Sequence, residues 1–438
     1  MEKEKLKREI GVLSLSLAII NMTIGTGIFI IPAIISENLG AAAIVAYIFC
    51  GILMFLIALC FAEVGSKVTS NGGTYTYIET AFGPFPGFIA NNLFWFGTAM
   101  LSDAAVANGL ADTLKYFSPL FGTELYRILF FVFIFGILAL INIRSTKNSM
   151  KFIELTTFVK LIPLILLIVI GTSFISSENL VWTITPTVGN IGNASLLLIF
   201  AFFGVEYPMA NSGEIKNAKR TIPLGIFFGI SAVLIIYISI QVVTQGVLGN
   251  TLVSHKDAPL GAVAEIIAGK SGIIIMIIAI AISMFGNLGG SIFSTPRVLY
   301  AGAQDSLMPK VFGKVHTKYL TPYIAILFYT VLGLLFASIG GFKQLAIISG
   351  ASTLLIYLGV ILSTIKLRKR GSPTLEKTFQ IPGGIIIPLL AFGVILWLLS
   401  NLSRQEIGSL MIFIVVFSLI YFSTKLANKI LSSKRNNI

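Results

Sequence analysis

Two apolar stretches of the chain are interrupted near their middles by glycines and polar residues. The first interruption contains Thr23, Gly25, Thr26 and Gly27, and the second is centred on Gly204. Glycine costs about 1 kcal/mol relative to alanine inside a helix, so a continuous helix does not favour this pattern. Unwound backbone inside a membrane leaves N–H and C=O groups that protein, water or a ligand must satisfy. The pattern therefore predicts two broken helices whose backbone groups are available for binding.

The two predicted breaks offer backbone groups of opposite polarity. Amide groups at Thr26 and Gly27 begin the outer half of the first helix, where partial positive charge favours an anion such as a carboxylate. Carbonyl groups around Phe200–Phe203 end the first half of the second helix, and their partial negative charge suits an ammonium. Together these groups match the two charged ends of an α-amino acid. The alternative is that the glycines only let two helices pack closely.

The composition places these breaks in a polytopic membrane protein. Of the 438 residues, 56% are hydrophobic and only 11% are charged, whereas soluble domains carry about 25% charged residues. Apolar runs of about 20 residues recur along the whole chain, as in helical membrane proteins. They predict twelve spans, at approximately 11–36, 40–64, 86–114, 125–143, 152–173, 193–215, 221–246, 272–300, 321–340, 344–365, 384–401 and 406–428.

The basic residues are distributed unevenly between the predicted loops. With a cytoplasmic N-terminus, most of the 31 Lys and Arg residues fall in cytoplasmic segments. This asymmetry predicts that both termini are cytoplasmic, including a tail at 429–438, and it explains the net charge of +13 without nucleic acid. Both histidines lie in predicted loops, and Cys50 and Cys60 lack metal-site spacing. We therefore expect no metal and no cofactor.

The order of the predicted spans suggests an internal repeat. Spans one to five and six to ten each begin with a broken helix, and these two helices enter from opposite sides of the membrane. This predicts inverted repeats at about 11–173 and 193–365, followed by two additional helices at about 384–428, within one transmembrane domain, 1–428. Pro259 and the short apolar stretch after it predict an outer helix that covers the pathway.

Several short motifs carry a resemblance to a known family. In chain order they are Ile24–Phe29, Ala62–Gly65 with Asn71–Tyr77, Phe203–Glu206 with Glu214–Pro223, Ser294–Ala301 with Asp305–Lys310, and Leu367–Arg370 before Pro382–Gly384. Over nearly its whole length the chain resembles the amino acid–polyamine–organocation superfamily. It is similar to the arginine/agmatine antiporter and related sodium-independent amino acid permeases. The resemblance implies an all-α, leucine-transporter-like fold with twelve transmembrane helices, a five-plus-five inverted repeat and alternating access.

The breaks and the resemblance together imply a set of substrate contacts. These are Thr23, Gly25, Thr26, Gly27, Thr98, Ser102, Phe200, Phe202, Phe203 and Gly204. Phe200 matches an aromatic gate of the arginine/agmatine antiporter, whereas Ser291 stands where that antiporter has a tryptophan. The remaining lining is mainly apolar and would gain by burying an apolar side chain. It therefore predicts that neutral amino acids bind better than arginine.

Three of the ionisable residues inside the predicted spans are candidates for a functional role: Lys160, Glu206 and Asp103. A lysine at mid-helix costs roughly 3 kcal/mol on insertion scales, so Lys160 needs a partner or a role. The resemblance implies that Lys160, in a Thr-x-x-Lys pattern, takes the place of a sodium ion, as a fixed cation bridging the first and eighth spans or as a proton carrier. Glu206 is expected to stabilise the second break or to sense protons. Asp103 either pairs with a cationic substrate or faces the outer vestibule.

The sequence thus predicts a secondary amino acid transporter in the cell membrane rather than an enzyme. It is expected to be sodium-independent, either proton-coupled or an exchanger, and to take neutral amino acids. The main alternative is a cationic amino acid or polyamine antiporter, which Asp103 and Glu206 favour. A membrane-embedded enzyme would need a nucleophile–base pair or a metal cluster in the spans, and the sequence shows neither. The expected partners are the amino acid, the lipid bilayer and, for a coupled carrier, protons.

Overall fold

A computed structural model describes residues 10–25, 27–68, 73–144, 146–209, 215–256, 258–304, 308–319, 321–369 and 379–436. Thr26 and the last two residues of the predicted tail, 437–438, lie outside the described residues. Within these ranges the chain is almost entirely helical and has no β-strand beyond one isolated bridge, between Ile10 and Ile215.

The α-helices follow one another closely along the described chain. In order they are α1 (Val12–Thr23), α2 (Gly27–Leu39), α3 (Ala43–Lys67), α4 (Thr74–Phe82), α5 (Pro84–Asn92), α6 (Leu101–Leu114), α7 (Glu124–Arg144), α8 (Thr146–Gly171), α9 (Val188–Ala201), α10 (Glu206–Met209), α11 (Ala218–Leu248), α12 (Pro259–Gln304), α13 (Tyr323–Ile339), α14 (Phe342–Lys369), α15 (Ile386–Ser400) and α16 (Arg404–Asn436). The segment Leu93–Met100, which joins α5 to α6, is π-helical. Most helix ends lie within a few residues of the predicted spans.

Both predicted broken helices are present. The first half of the first one, α1, ends at Thr23, and the second half, α2, begins at Gly27. In the other, α9 ends at Ala201 and the short α10 begins at Glu206. The segment before α1 is also tied to the segment before α11, because the Ile10 carbonyl accepts a hydrogen bond of 2.9 Å from the Lys216 amide.

The predicted outer helix is continuous with the helix that follows it. α12 begins at Pro259 and contains non-helical backbone at Ala268 and Gly269, where the two helices meet at a kink. Gly269 has a φ of 61°, a conformation that glycine adopts without steric cost. The kink therefore separates a short outer helix from the long helix that reaches the centre of the protein.

The outer surface of the helix bundle is strongly apolar. Among the residues that the structure describes, seven helical stretches are long and apolar enough to cross a membrane, and four shorter apolar helices accompany them. On α7, α8 and α16, large apolar side chains such as Phe133, Ile162 and Ile412 are well exposed. Exposed apolar surface on this scale is typical of a lipid-facing belt. The protein is therefore an integral membrane protein built from helices.

The packing of the helices surrounds the two breaks. α1 packs on α11, α2 packs on α9, and α8 runs along α12, while α14 contacts both α3 and α6. The breaks consequently lie in the interior of the bundle, where their backbone groups meet side chains from α8, α11 and α12.

Two of the sequence motifs meet at the ends of α3 and α14. The buried carboxylate of Glu63 accepts hydrogen bonds from Lys67 Nζ at 2.8 Å and from Arg368 Nε at 2.6 Å. It also accepts a bond of 3.0 Å from the amide of Ile381, just before Pro382–Gly384. Pairing and multiple hydrogen bonds compensate for burying this charge. These motifs therefore hold α3, α14 and the segment before α15 together.

Candidate functional site

The two breaks pack directly against each other, and a glycine makes each contact possible. A Cβ atom on Gly27 would lie 2.5 Å from the Cβ of Ala201, at the end of α9. Conversely, a Cβ atom on Gly204 would lie 2.5 Å from the amide nitrogen of Thr23, and Gly204 has a φ of 146° that other residues rarely adopt. Close helix approach, which the sequence left as the alternative for these glycines, is thus part of how the breaks are positioned.

A tyrosine on α11 links the carbonyl ends of α1 and α9. The hydroxyl of Tyr237 lies 2.8 Å from the Thr23 carbonyl oxygen and 2.6 Å from that of Ala201. Because a tyrosine hydroxyl carries one hydrogen, it donates to only one of these carbonyls at a time. The ring of Tyr237 packs on Phe202, with centroids 5.0 Å apart. Sequence reasoning did not identify Tyr237, because nothing in the local pattern relates it to either break.

The first break is closed by a buried cation. Lys160 Nζ donates hydrogen bonds to the carbonyl oxygens of Asn21 at 2.8 Å and Ile24 at 2.9 Å, and its side chain is fully buried. These carbonyls belong to the C-terminal end of α1, where a positive charge is favourable. On the α12 side, Asn287 Nδ2 donates to the Met22 carbonyl at 3.3 Å. The first break is therefore held by Lys160 of α8 and by Asn287 of α12.

The second break is braced by a buried carboxylate. Glu206 Oε2 accepts a hydrogen bond of 3.2 Å from the Gly204 amide and one of 2.8 Å from the Tyr357 hydroxyl on α14. The other oxygen, Oε1, is buried and has no hydrogen-bond partner among the described residues. The bond to Gly204 stabilises the turn between α9 and α10, and the bond to Tyr357 attaches that turn to α14.

A small cavity lies between the two breaks, with a volume of about 370 Å³ that includes space open to the surroundings. Its lining residues come from α1, α2, α6, α9, α10, α12 and the segments at the breaks: Met22, Thr23, Gly25, Gly27, Ser102, Val106, Phe200, Ala201, Phe203, Tyr207, Asn287 and Ser291. No charged side chain occurs among these described lining residues. The ring of Phe200 also contacts Phe342, at the start of α14, with centroids 5.9 Å apart. The cavity is suited to a small molecule whose side chain is neutral.

The cavity brings together most, but not all, of the predicted contacts. The predicted residues that line it are Thr23, Gly25, Gly27, Ser102, Phe200 and Phe203. Thr98 instead contacts α14. Its hydroxyl accepts a hydrogen bond of 2.9 Å from the Thr353 hydroxyl, and its carbonyl oxygen accepts one of 2.8 Å from the Ser349 hydroxyl. Phe202 packs on Tyr237, and Gly204 packs on Thr23. The π-helical segment Leu93–Met100 contains Thr98, and its wider turn changes which residues face the cavity.

Asp103 lies behind the cavity wall. Its Oδ2 accepts a hydrogen bond of 2.8 Å from the Tyr329 hydroxyl of α13. That hydroxyl lies 3.3 Å from Oγ of Ser291, which lines the cavity and lies 3.4 Å from Oγ1 of Thr295. All four side chains are buried. Asp103 is thus connected to the cavity through Tyr329 and Ser291 and is not itself among the described lining residues.

Comparison with known sequences agrees with this architecture. The sequence model of one protein family, described as amino acid permease, matches residues 10–424. The chain belongs to the amino acid permease family. The chain is 26% identical to the branched-chain amino acid permease BcaP of Bacillus subtilis strain 168, over 96% of this chain and 93% of that protein. It is 29% identical to the serine/threonine exchanger SteT of the same strain, over 89% of this chain and 90% of that protein.

A mammalian protein is also similar to this permease. The large neutral amino acids transporter small subunit 2 of Mus musculus is 28% identical, over 81% of this chain and 68% of that protein. These relatives are named as permeases, exchangers and transporters, so the comparison supports transport and not enzymatic catalysis.

A second, larger cavity of the permease adjoins the central one. Its volume is about 1130 Å³, which includes space open to the surroundings. It is lined mainly by apolar groups of α1, α8, α10 and α12, among them Leu15, Ala18, Phe158 and Phe293. Met22 and Tyr207 line both cavities. These two side chains therefore stand between the central cavity and the larger one.

Proposed function

We propose that this permease is a sodium-independent secondary transporter of neutral amino acids that works by alternating access, as an exchanger or coupled to protons. One observation carries the proposal: the cavity between the two breaks is small and has no charged side chain among its described lining residues. The backbone of the breaks then supplies the polar contacts for the charged ends of the substrate, and the neutral walls select its side chain.

The substrate carboxylate is expected at the start of α2. Amide groups in the first turn of a helix lack intrahelical acceptors and carry partial positive charge. Gly27 begins α2 and lines the cavity, and Gly25, two residues earlier in the chain, lines it too. The substrate ammonium is expected near the end of α9, where Phe200 and Ala201 line the cavity and carbonyls carry partial negative charge.

The substrate side chain is expected to be neutral. Val106, Phe200 and Phe203 supply apolar wall, against which burial of an apolar side chain contributes roughly 1.5–3 kcal/mol. A charged side chain would lose its hydration without meeting a charged partner among the lining residues. The names of three relatives, for branched-chain amino acids, for serine and threonine, and for large neutral amino acids, support the same substrate class.

The position of Lys160 supports independence from sodium. Its ammonium occupies the place beside the carbonyls of Asn21 and Ile24 where a metal cation would otherwise bind oxygen atoms. We expect that a fixed positive charge at the end of α1 makes a bound sodium ion unnecessary for keeping the first break in place.

The proposed mechanism requires the topology that the sequence predicts. We propose a single transmembrane domain, 1–428, with twelve spans, inverted repeats at about 11–173 and 193–365, and two further helices at about 384–428. Both termini, including the tail at 429–438, would face the cytoplasm of the cell membrane. Rocking of spans one, two, six and seven against spans three, four, eight and nine would then expose the cavity to each side. The larger cavity beside α1 supports an exit path on the side of the N-terminus.

One alternative has a specific observation in its favour. Asp103 is a buried carboxylate close to the cavity, as expected for a carrier of cationic amino acids or polyamines. The Asp103 carboxylate accepts a hydrogen bond from the Tyr329 hydroxyl, however, and Ser291 lies between this pair of residues and the cavity. A substrate cation would have to replace this contact in order to pair with Asp103.

Competition for uptake distinguishes the two functions. Purified protein in proteoliposomes should take up labelled alanine or leucine, and unlabelled neutral amino acids should compete better than arginine, lysine or putrescine. Protein-free liposomes serve as the control for leakage. If arginine competes best, and Asp103→Asn removes that preference, the cavity is cationic and the alternative is correct. If no amino acid is taken up, the proposed function is wrong.

A further inference from the structure

A buried carboxyl group lies beside the central cavity without a cation. Asp103 is 1% exposed, and its Oδ2 accepts a hydrogen bond of 2.8 Å from the Tyr329 hydroxyl of α13. Ser291 of α12, which lines the cavity, also contacts Asp103. No lysine or arginine pairs with Asp103 among the described residues. An ionised carboxylate is costly to bury unless a cation or several hydrogen bonds compensate, so binding of a proton relieves this cost.

The titratable side chains that face Asp103 within the described chain are tyrosines. Tyr329 comes from α13 and Tyr207 from α10, and both are buried. An ion pair does involve the same helix, between Asp112 and Arg127 of α7, but Asp112 lies more than two turns further along α6. A change in the charge of Asp103 is therefore not compensated by a cation in contact with it in this part of the chain.

The hydroxyl groups around Asp103 can satisfy it in both protonation states. A hydroxyl both donates and accepts, so Tyr329 can donate to the ionised carboxylate or accept from the protonated carboxyl group. The Tyr329 and Ser291 hydroxyls lie 3.3 Å apart and either can donate, so the bond between them can reverse as well. Glu206 differs, because its Oε2 accepts from the Gly204 amide, which cannot accept, and its Oε1 has no partner among the described residues. Asp103 is therefore better suited than Glu206 to gain and lose a proton.

We propose that Asp103 binds a proton from the outer solution and releases the same proton on the inner side in each transport cycle, which makes the permease a proton-coupled symporter. The inference rests on the proposed function and chooses between its two forms, exchange and proton coupling. Ser291 connects Asp103 to the central cavity, and Ser291 also contacts Tyr207, which lines both cavities. The proton thus has a hydrogen-bonded route between the carboxyl group and each cavity.

Proton movement driven by alanine measures this coupling directly. Proteoliposomes that contain a pH-sensitive dye, with the membrane potential clamped by valinomycin and equal potassium on both sides, should acidify inside when alanine is added outside. A gradient of one pH unit, acidic outside, should drive alanine accumulation of up to about tenfold for one proton per alanine. Protein-free liposomes control for proton leak. Alanine uptake without proton influx overturns the inference and leaves the proposed function standing, whereas absence of any uptake contradicts the proposed function itself.

Asp103→Asn keeps the shape of the side chain but cannot exchange a proton. Its alanine accumulation under the pH gradient should fall to a ratio of about one. Exchange of labelled for unlabelled alanine, and thermal stabilisation of the purified protein by alanine, should persist, because Asp103 does not line the cavity. Asp112→Asn is the matched control, since it makes the same substitution on α6 in a carboxylate that pairs with Arg127, and accumulation should be retained.

Accumulation that survives in Asp103→Asn overturns the inference. So does an equal loss of accumulation in Asp112→Asn, or a loss of exchange together with accumulation in a folded Asp103→Asn protein. If thermal melting shows that Asp103→Asn does not fold, Tyr329→Phe decides. This variant keeps the carboxyl group but removes the hydroxyl that can accept a hydrogen bond from its protonated form. The ratio of proton influx to alanine exchange should then fall at least about threefold, and an unchanged ratio overturns the inference.

Discussion

The two helix breaks are closed by groups of opposite charge. At the first break, the ammonium of Lys160 donates to the carbonyls of Asn21 and Ile24 at the end of α1. At the second break, the carboxylate of Glu206 accepts from the Gly204 amide where α10 begins. In each case the charge is the one that the local end of the helix favours, a cation at carbonyls and an anion at amides.

The difference between the breaks concerns how their backbone groups are held. Lys160 makes two short hydrogen bonds to carbonyls of the first break, whereas Glu206 makes one longer bond, to the Gly204 amide of the second. Buried oxygens without a partner among the described residues occur at both breaks, such as Oγ1 of Thr23 and Oε1 of Glu206. Carbonyls that accept from the protein's own amine need no external ion. We infer that the first break is the more fixed of the two and that changes there have the larger effects.

The largest effect is expected from the glycine that lets the breaks meet. Gly27→Val should abolish uptake, because even its Cβ would lie 2.5 Å from Ala201 and the start of α2 would be displaced. Gly25→Ala is the milder comparison, since its Cβ would lie 3.2 Å from Nδ2 of Asn287, at the end of a side chain that can move. Initial uptake rates and thermal melting of both variants check this. Normal uptake by Gly27→Val would show that the substrate carboxylate does not bind at the start of α2.

The next largest effect is expected at Lys160. Lys160→Ala leaves two buried carbonyls without their donor, at about 1–3 kcal/mol for an unsatisfied group, so uptake should fall at least about tenfold. Lys343→Ala is the control, because Lys343 is an exposed lysine on α14 and its loss should leave uptake nearly unchanged. Equal uptake by the two variants would show that the first break does not need the internal cation.

A smaller effect is expected at Glu206. Glutamine keeps one oxygen that can accept from Gly204 and Tyr357, so Glu206→Gln should lower uptake about threefold at every pH without changing the shape of the profile. Uptake measured across a pH series provides the test. A flattened profile would instead identify Glu206 as a proton sensor, which is the other role that the sequence leaves open.

The smallest of these effects is expected at the tyrosine between the breaks. Tyr237→Phe removes one hydroxyl hydrogen shared by the Thr23 and Ala201 carbonyls, and uptake should fall about two- to fivefold. Tyr77→Phe is a suitable control, because the buried Tyr77 hydroxyl has no partner among the described residues. If both variants behave alike, the link between the two breaks does not depend on Tyr237.

Sequence reasoning located the breaks because their signal is local. Glycines and polar residues within an apolar span mark an interruption wherever the span packs, and α1 and α9 indeed end at Thr23 and Ala201. The helix ends could also be predicted, because the ends of the apolar runs are likewise a local pattern in the sequence. The all-helical membrane architecture could thus be predicted from composition and spacing alone.

The partners of the breaks could not be predicted in this way. Tyr237, Asn287 and Tyr357 are distant in the chain from the groups they contact, and only packing brings them together. The sequence also could not predict which side of the third span faces the cavity, because the π-helical turn around Thr98 departs from the regular helical period. A polar signal did exist for Asn287 and Ser291, which lie in a glycine-rich stretch of an otherwise apolar helix.

We propose that the protein's own ionisable side chains, and not a bound sodium ion, hold the breaks in a transport-competent form. It is tested most directly by the initial rate of labelled alanine uptake into proteoliposomes, measured in sodium and again with choline in its place at equal ionic strength. We expect equal rates for the unmodified permease in the two solutions. A rate that requires sodium and saturates with sodium concentration would contradict it.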